Sequence, residues 1–184
     1  MPLHVIGGEA RGRRLRSPPA GVRPTSAILR RSLFDILGAR VTGARVLDLY
    51  AGAGTLGIEA LSRGAASAQF VDRDRRCANV IAANLALAGI GAQAEVDCAR
   101  AGSWIEHHRD RLGEFDLVFI DPPYGDAGLQ EVLELLSGPG GITGDALVVV
   151  EESRRSTPSA PASLELVRLV RHGDSTLTLL RRAR

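Results

Sequence analysis

Apolar and polar positions come in alternating blocks along this chain of 184 residues. From Arg45 onward, short runs that are apolar throughout take turns with longer stretches whose apolar residues recur every three or four positions. The runs predict strands near 45–49, 67–71, 93–96, 115–120 and 146–150, and the helical periods predict helices near 55–63, 75–88, 101–111 and 127–136. Continuous apolar runs belong to strands buried on both faces of a parallel sheet, so the alternation predicts an α/β fold with a doubly wound, mostly parallel sheet. Leu164 to Val170 and Ser175 to Leu180, joined through His172-Gly173-Asp174, predict a closing antiparallel pair. The linker 153–163, rich in Ser, Pro and Ala, is expected to be a loop in place of a last helix.

The first residues follow another pattern. Residues 3–16 predict a short hairpin bending at Gly7-Gly8 and their neighbours, followed by the proline-rich loop Ser17-Pro18-Pro19-Ala20-Gly21. Arg23-Pro24-Thr25 leads into a helix from about Ser26 to Leu37, which Gly38 stops. Ile28, Leu29, Leu33, Ile36 and Leu37 give it an apolar face, from which Arg30 and Arg31 are expected to fall away. The division expected is a basic extension over 1–22 and one domain over 23–184.

Charge sharpens that division. Residues 1–45 hold nine arginines against Glu9 and Asp35, whereas the remainder holds 14 arginines against 19 acids. A near-neutral total thus conceals a basic arm on an acidic body, the footprint of a polyanion-binding element. Arg11, Arg13, Arg14 and Arg16, with Arg23, Thr25 and Arg30, are the candidate contacts to phosphate. All 23 basic residues are arginine, which by itself reflects genome composition and argues nothing. Cys77 and Cys98 fit no metal spacing and no disulfide framework, and the histidines lack partners at ligand spacing, so no metal site is predicted. With no apolar run of membrane length and no signal-peptide pattern, a soluble, cytoplasmic protein is expected.

The candidate chemistry lies at two strand ends. Phe115 to Ile120 runs into Asp121-Pro122-Pro123-Tyr124, where the prolines must end a central strand. Ligands of open α/β sheets bind just there, beyond the carboxyl ends of the strands. A carboxylate (Asp121) and a backbone carbonyl (Pro122) could each accept one N–H of a nucleobase amine, favouring the pyramidal nitrogen that forms as a methyl group arrives. Tyr124 offers a ring on which an extruded base could stack. The second strand end is Val46 to Gly57, a strand, glycine turn and helix start in which Gly52, Gly54 and Gly57 satisfy G-x-G-x-x-G. Asp72 lies 20 residues beyond Gly52, placed to meet a ribose unless it is a surface turn residue.

Those glycines alone suit NAD and S-adenosylmethionine equally. Asp48 would repel a pyrophosphate but suits a sulfonium ligand carrying an amino group, and Asp97-Cys98 could meet adenine through a carboxylate and a backbone N–H. An oxidoreductase has no evident use for the Asp-Pro-Pro-Tyr turn. S-adenosylmethionine is therefore the expected cofactor, with S-adenosylhomocysteine as product and with Asp48, Tyr50, Gly52, Gly54, Asp72, Asp97 and Cys98 as candidate contacts. The blander expectations are Asp74 as a helix N-cap, Cys98 as a buried small residue lining the pocket, Trp104 in the core and Glu151-Glu152 in solvent, although at the end of the fifth strand that pair could instead line a cleft.

With these pieces assembled, the chain resembles the RsmD family, bacterial methyltransferases acting on a guanine N2 amine of 16S ribosomal RNA. The resemblance rests on Ile6-Gly7-Gly8 with Arg11-Gly12-Arg13 and Leu15, on Arg23-Pro24-Thr25 with Arg30 and Leu33-Phe34, and on Leu47-Asp48 with Ala51-Gly52-Ala53-Gly54. It continues through Leu56-Gly57 and Glu59-Ala60-Leu61-Ser62-Arg63 to Asp121-Pro122-Pro123-Tyr124. It implies a seven-stranded class I methyltransferase fold with an amino-terminal hairpin that helps hold RNA, and a partly assembled small ribosomal subunit as partner of a monomeric enzyme. By position it implies cofactor contacts at Asp48, Gly52, Gly54, Asp72 and Asp97, and a base held by Asp121 to Tyr124. Where the family often carries Asp-Arg, this chain has Ala27-Ile28, and Arg31 stands where an acid is common. The rival readings are an amino-methyltransferase of adenine N6 or cytosine N4, an NAD-dependent oxidoreductase, and a catalytically silent RNA-binding module.

Overall fold

The computed structural model describes residues 3–19, 25–123, 125–154 and 160–183. Tyr124 and Arg23, both singled out above, lie outside the described residues. The helices are α1 (Ala27–Leu37), α2 (Thr55–Ser62), α3 (Arg75–Ala88), α4 (Ala101–His107) and α5 (Leu129–Ser137). The strands are β1 (Arg45–Leu49), β2 (Ser67–Asp72), β3 (Ala94–Cys98), β4 (Leu117–Ile120), β5 (Leu147–Ser153), β6 (Leu164–His172) and β7 (Ser175–Arg182).

They form one seven-stranded sheet in the order β3-β2-β1-β4-β5-β7-β6. The pairs among β1 to β5 are parallel, and β7 runs antiparallel between β5 and β6. The chain winds from β1 out to β3 and then returns to place β4 on the other side of β1, so the reversal opens a crevice at the carboxyl ends of β1 and β4. Side-chain alternation splits the core into two layers. Val46, Phe70, Phe119 and Val149 pack with α1, α2 and α3, while Leu47, Val71, Val118 and Val150 pack with α4 and α5. Every residue of α2 is buried, and it lies close on β2 because Gly57 has no side chain; a Cβ there would come within 2.3 Å of the Phe70 ring.

Two boundaries differ from the sequence reading. Helix α4 ends at His107 rather than near 111; the rings of His107 and His108 lie against the carbonyls of Ser103 and Trp104, and a 3₁₀ turn follows. The amino-terminal segment is a looser loop than a Gly7-Gly8 hairpin. It holds one bridge, His4 to Arg14, with the main chain closing between Val5 and Gly12–Arg13.

That segment is attached to the body by its own backbone. The Glu59 carboxylate accepts N–H groups from Ile6 (2.8 Å) and Gly7 (2.7 Å), the Ser62 hydroxyl accepts from Ala10 (3.0 Å), and Asn84 exchanges hydrogen bonds with the Arg16 main chain. Gly8 has a positive φ of 76° and lies so close that a Cβ would stand 1.7 Å from the Ser62 carbonyl oxygen, which explains the Gly-Gly pair. Arg30 corrects the sequence reading. It is 1% exposed, lies 3.9 Å from Glu59 and donates to the His4 carbonyl at 3.2 Å. The buried stripe of α1 is Leu29, Arg30, Leu33, Phe34 and Leu37, so Arg30 takes the inward position and Ile28, expected inside, is 63% exposed.

Candidate active-site cleft

A cleft of about 880 Å³ opens where the sheet topology predicts it, at the carboxyl ends of β1, β2, β4 and β5. Tyr50, Asp72, Asp121, Pro122 and Pro123 line it together, so the two strand ends picked out from the sequence share one wall. Tyr50 is in the left-handed region at φ 58°, a conformation that costs a non-glycine residue about 1 kcal/mol or more and that recurs at ligand sites. Burial pushes its phenol up to about 12, so it stays neutral.

Asp72 is the acid best presented to a ligand. One of its oxygens accepts the Gly52 N–H and the other the Asp74 N–H, both at 2.8 Å. A carboxylate has roughly four lone-pair sites, so each oxygen keeps capacity for a ribose hydroxyl. Gly52 and Gly54 have φ values of 57° and 75°, and a Cβ on Gly54 would crowd Ile81 and Ile58. These glycines shape the turn without lining the cleft themselves. Asp74 is the N-cap of α3, accepting from Arg76 N, and Trp104 is core, both as expected.

Several predicted contacts lie elsewhere. Asp48 does not face the cleft: it is 2% exposed and accepts the Gly57 N–H at 2.9 Å, bracing the turn from beneath. Its carboxyl is pushed up to about 8 by burial; the Gly57 N–H opposes this and the negative Asp72 adds to it. Asp97 gives one oxygen to Trp104 Nε1 (2.7 Å) and Gln69 Nε2 (3.2 Å), and the neighbouring cleft wall is made by Ala99, Arg100 and Ala101 instead. Cys98, expected to be buried, is exposed, with its thiol toward the Arg73 carbonyl.

Around Asp121 the structure adds Thr25, whose place the sequence reading missed, and Glu151, for which it preferred solvent over a cleft. Thr25, read as a phosphate contact, is buried, and its hydroxyl donates to Asp121 Oδ2 at 2.8 Å. Glu151, expected in solvent, is buried at the cleft beside Asp121 and accepts from the Ser175 hydroxyl at 3.0 Å. Asp121 is raised well above the usual carboxylate range, chiefly by burial and then by Glu151, against the lowering effect of Thr25. Thr25 belongs to the Arg23-Pro24-Thr25 motif, but nothing in that motif points to Asp121; Glu151 reaches the site through the register of β5 beside β4. Arg11, Arg13, Arg14 and Arg16 are all exposed on the amino-terminal segment.

The cleft walls carry seven carboxylates against Arg73 and Arg100, so their field attracts cations and amines and repels phosphates. Among the described residues no group of three or more His, Cys, Asp or Glu is arranged to hold a metal ion, and no helix is long and apolar enough to cross a membrane.

In sequence, the family described as "Conserved hypothetical protein 95" matches residues 3–181. "Ribosomal RNA small subunit methyltransferase D" of Escherichia coli (strain K12) is 37% identical over 168 residues, covering 90% of this chain and 83% of that protein. YlbH of Bacillus subtilis (strain 168) is 33% identical over 173 residues, with 93% of this chain and 94% of that protein covered. Among solved structures, yhhF from Escherichia coli superposes with a TM-score of 0.85 at 35% identity, covering 99% of this chain and 98% of that one.

Proposed function

Because the chain belongs to the family of conserved hypothetical protein 95, the RsmD family, we propose that it methylates ribosomal RNA of the small subunit using S-adenosylmethionine, at the exocyclic N2 amine of a guanine. The observation that carries the reading is that the Asp121-Pro122-Pro123 turn and the ribose-type acid Asp72 wall the same cleft. The cofactor fits the residues present. Asp72 has acceptor capacity left for ribose hydroxyls, and the left-handed glycine turn holds that carboxylate in place through the Gly52 N–H. The excess of cleft carboxylates suits a cationic ligand and disfavours a pyrophosphate, which weighs against NAD.

When bound, S-adenosylmethionine supplies a methyl group already activated by its sulfonium charge. The protein's own work is then positioning and charge stabilisation. Asp121 and the Pro122 carbonyl each accept one N–H of the amine, concentrating its lone pair on the nitrogen. Thr25 fixes the Asp121 carboxylate and opposes its protonation. A strong base is unnecessary, since the amine loses its proton only after it has become cationic. Asp121 can then stabilise that charge. Tyr124 is proposed as the stacking face, and Arg11, Arg13, Arg14 and Arg16, on an extension spanning 1–22, as the surface that meets RNA phosphates outside the acidic cleft. A partly assembled subunit as substrate and a monomeric enzyme belong to the same proposal.

The test is mass-spectrometric mapping of methylated nucleotides in ribosomal RNA from cells with and without the gene. The expected result is one N2-methylguanine lost from small-subunit RNA and restored by the purified enzyme with S-adenosylmethionine. A missing methyl on adenine or cytosine, or none at all, refutes the proposal.

A further inference from the structure

The methyl-transfer reading leaves Glu151 without a role, although it sits in the cleft. Strands β4 and β5 run parallel in register, with Phe119 opposite Val149 and Ile120 opposite Val150. Asp121 directly follows the end of β4, and Glu151 is the next residue of β5. Phe119 and Val149 point into the same core layer, so by alternation the two carboxylates leave the sheet on that same side. Neighbouring strands are about 4.8 Å apart, which makes the two acids side-by-side neighbours. Both line the cleft, and each is held by a hydroxyl, Asp121 by Thr25 (2.8 Å) and Glu151 by Ser175 (3.0 Å). Two adjacent buried carboxylates repel one another, and Asp121 is raised partly for this reason. A fold that keeps such a pair at a ligand cleft is complementary to a ligand presenting two donors side by side.

Among the bases with an exocyclic amine, only guanine does so. Its N1–H lies next to its N2 amine on the Watson–Crick edge. Adenine and cytosine instead place a bare ring nitrogen beside their amines, and that lone pair would face the second carboxylate. Extruded bases are read on this same edge. We propose that Glu151 selects guanine by accepting its N1–H, while Asp121 and the Pro122 carbonyl hold the N2 amine. This deepens the reading above and rests on it. It assigns Glu151 to base choice and leaves the transfer itself to Asp121. Ser175 then acts as a positioning residue that keeps the glutamate turned toward the base.

The test uses small-subunit ribosomal RNA in which the mapped guanine is replaced by 2-aminopurine. This base keeps the amine at C2 but carries a lone pair at N1. A site built to accept a hydrogen bond rejects an analogue lacking the donor by roughly 10⁴-fold. The wild-type enzyme is expected to prefer guanine on that order in kcat/KM. Glu151→Gln, whose amide can turn an N–H toward the lone pair, should reduce the preference to about tenfold or less. Its thermal unfolding and its affinity for S-adenosylhomocysteine should match the wild type. An unchanged preference in the variant, or a wild-type enzyme that accepts both bases equally, overturns the inference while methyl transfer to guanine N2 stands. Transfer to an adenine or cytosine amine overturns both. Should Glu151→Gln fail to fold, Ser175→Ala must lower the guanine preference, and its failure to do so is equally decisive.

Discussion

Replacing Asp48 with asparagine tests how the glycine turn is held. Asp48 is buried and accepts one hydrogen bond, from Gly57 N, and its carboxyl is pushed from 3.8 up to about 8. The unfolded chain therefore ionises this group near the ordinary value, whereas the folded protein keeps it protonated to about pH 8. The contribution to stability is whole below the ordinary carboxylate range and is lost as pH rises through about 8. Inside that window the folded state holds one proton more than the unfolded state, so unfolding free energy falls by about 1.4 kcal/mol per pH unit. Over the whole window the loss is on the order of 6 kcal/mol. Asparagine keeps an acceptor for Gly57 and cannot ionise. Urea unfolding of both proteins, in steps of about one unit from about pH 5 to about pH 8, reads the difference directly. The wild-type free energy should fall more steeply than that of Asp48→Asn by about 1.4 kcal/mol per unit. Parallel slopes would show that Asp48 is charged inside the folded protein, and the account of the turn would be wrong.

Asp121→Ala should lower turnover by roughly 10²-fold or more while S-adenosylhomocysteine binding, followed by calorimetry, changes little. Thr25→Val removes a hydrogen bond to a carboxylate, so kcat should drop about tenfold; because the hydroxyl lowers the acidity range of Asp121, the acid limb of the pH–rate profile should move to higher pH. Glu59→Gln leaves Arg30 buried without its counter-charge and should destabilise the protein by about 3 kcal/mol in chemical unfolding. Exchanging Arg11, Arg13 and Arg14 together for glutamine should flatten the dependence of RNA affinity on salt, by about one log–log unit for each phosphate no longer neutralised.

The sheet was legible from the chain because its strands are unbroken apolar blocks bounded by turn residues, and each predicted strand lies within two or three residues of the observed one. The cleft was legible in part: the Gly52–Gly54 turn and Asp121-Pro122-Pro123 both follow strands, and the structure makes those strands neighbours. Partners far apart in sequence were not legible. Arg30 reads as surface because the acid that admits it to the interior, Glu59, is on another helix. Thr25 reads as part of a basic motif, yet its partner Asp121 lies 96 positions away. Glu151 follows an apolar strand and precedes a second acid, a pattern that predicts solvent until β7 covers it with Ser175. Asp97 and Asp48 were rightly seen as acids near strand ends. Which side of the sheet each one served depended on Trp104 and Gly57, donors that periodicity does not reveal.

The amino-terminal segment is gripped by Glu59, Ser62 and Asn84, and all three reach its peptide groups rather than its side chains. Leu3, Val5, Ala10 and Leu15 add apolar side chains to the core, while the arginines among them stay exposed. Arg11, Arg13, Arg14 and Arg16 can be exchanged without loosening the anchor, whereas Gly8 cannot change at all. Asn84 also donates to the Ala53 carbonyl at 2.9 Å, so the same amide that clasps the arm touches the glycine turn. Exchange of the exposed arginines alone, with Gly12 and Leu15 kept, is thus the change this arm absorbs while the cleft stays as it is.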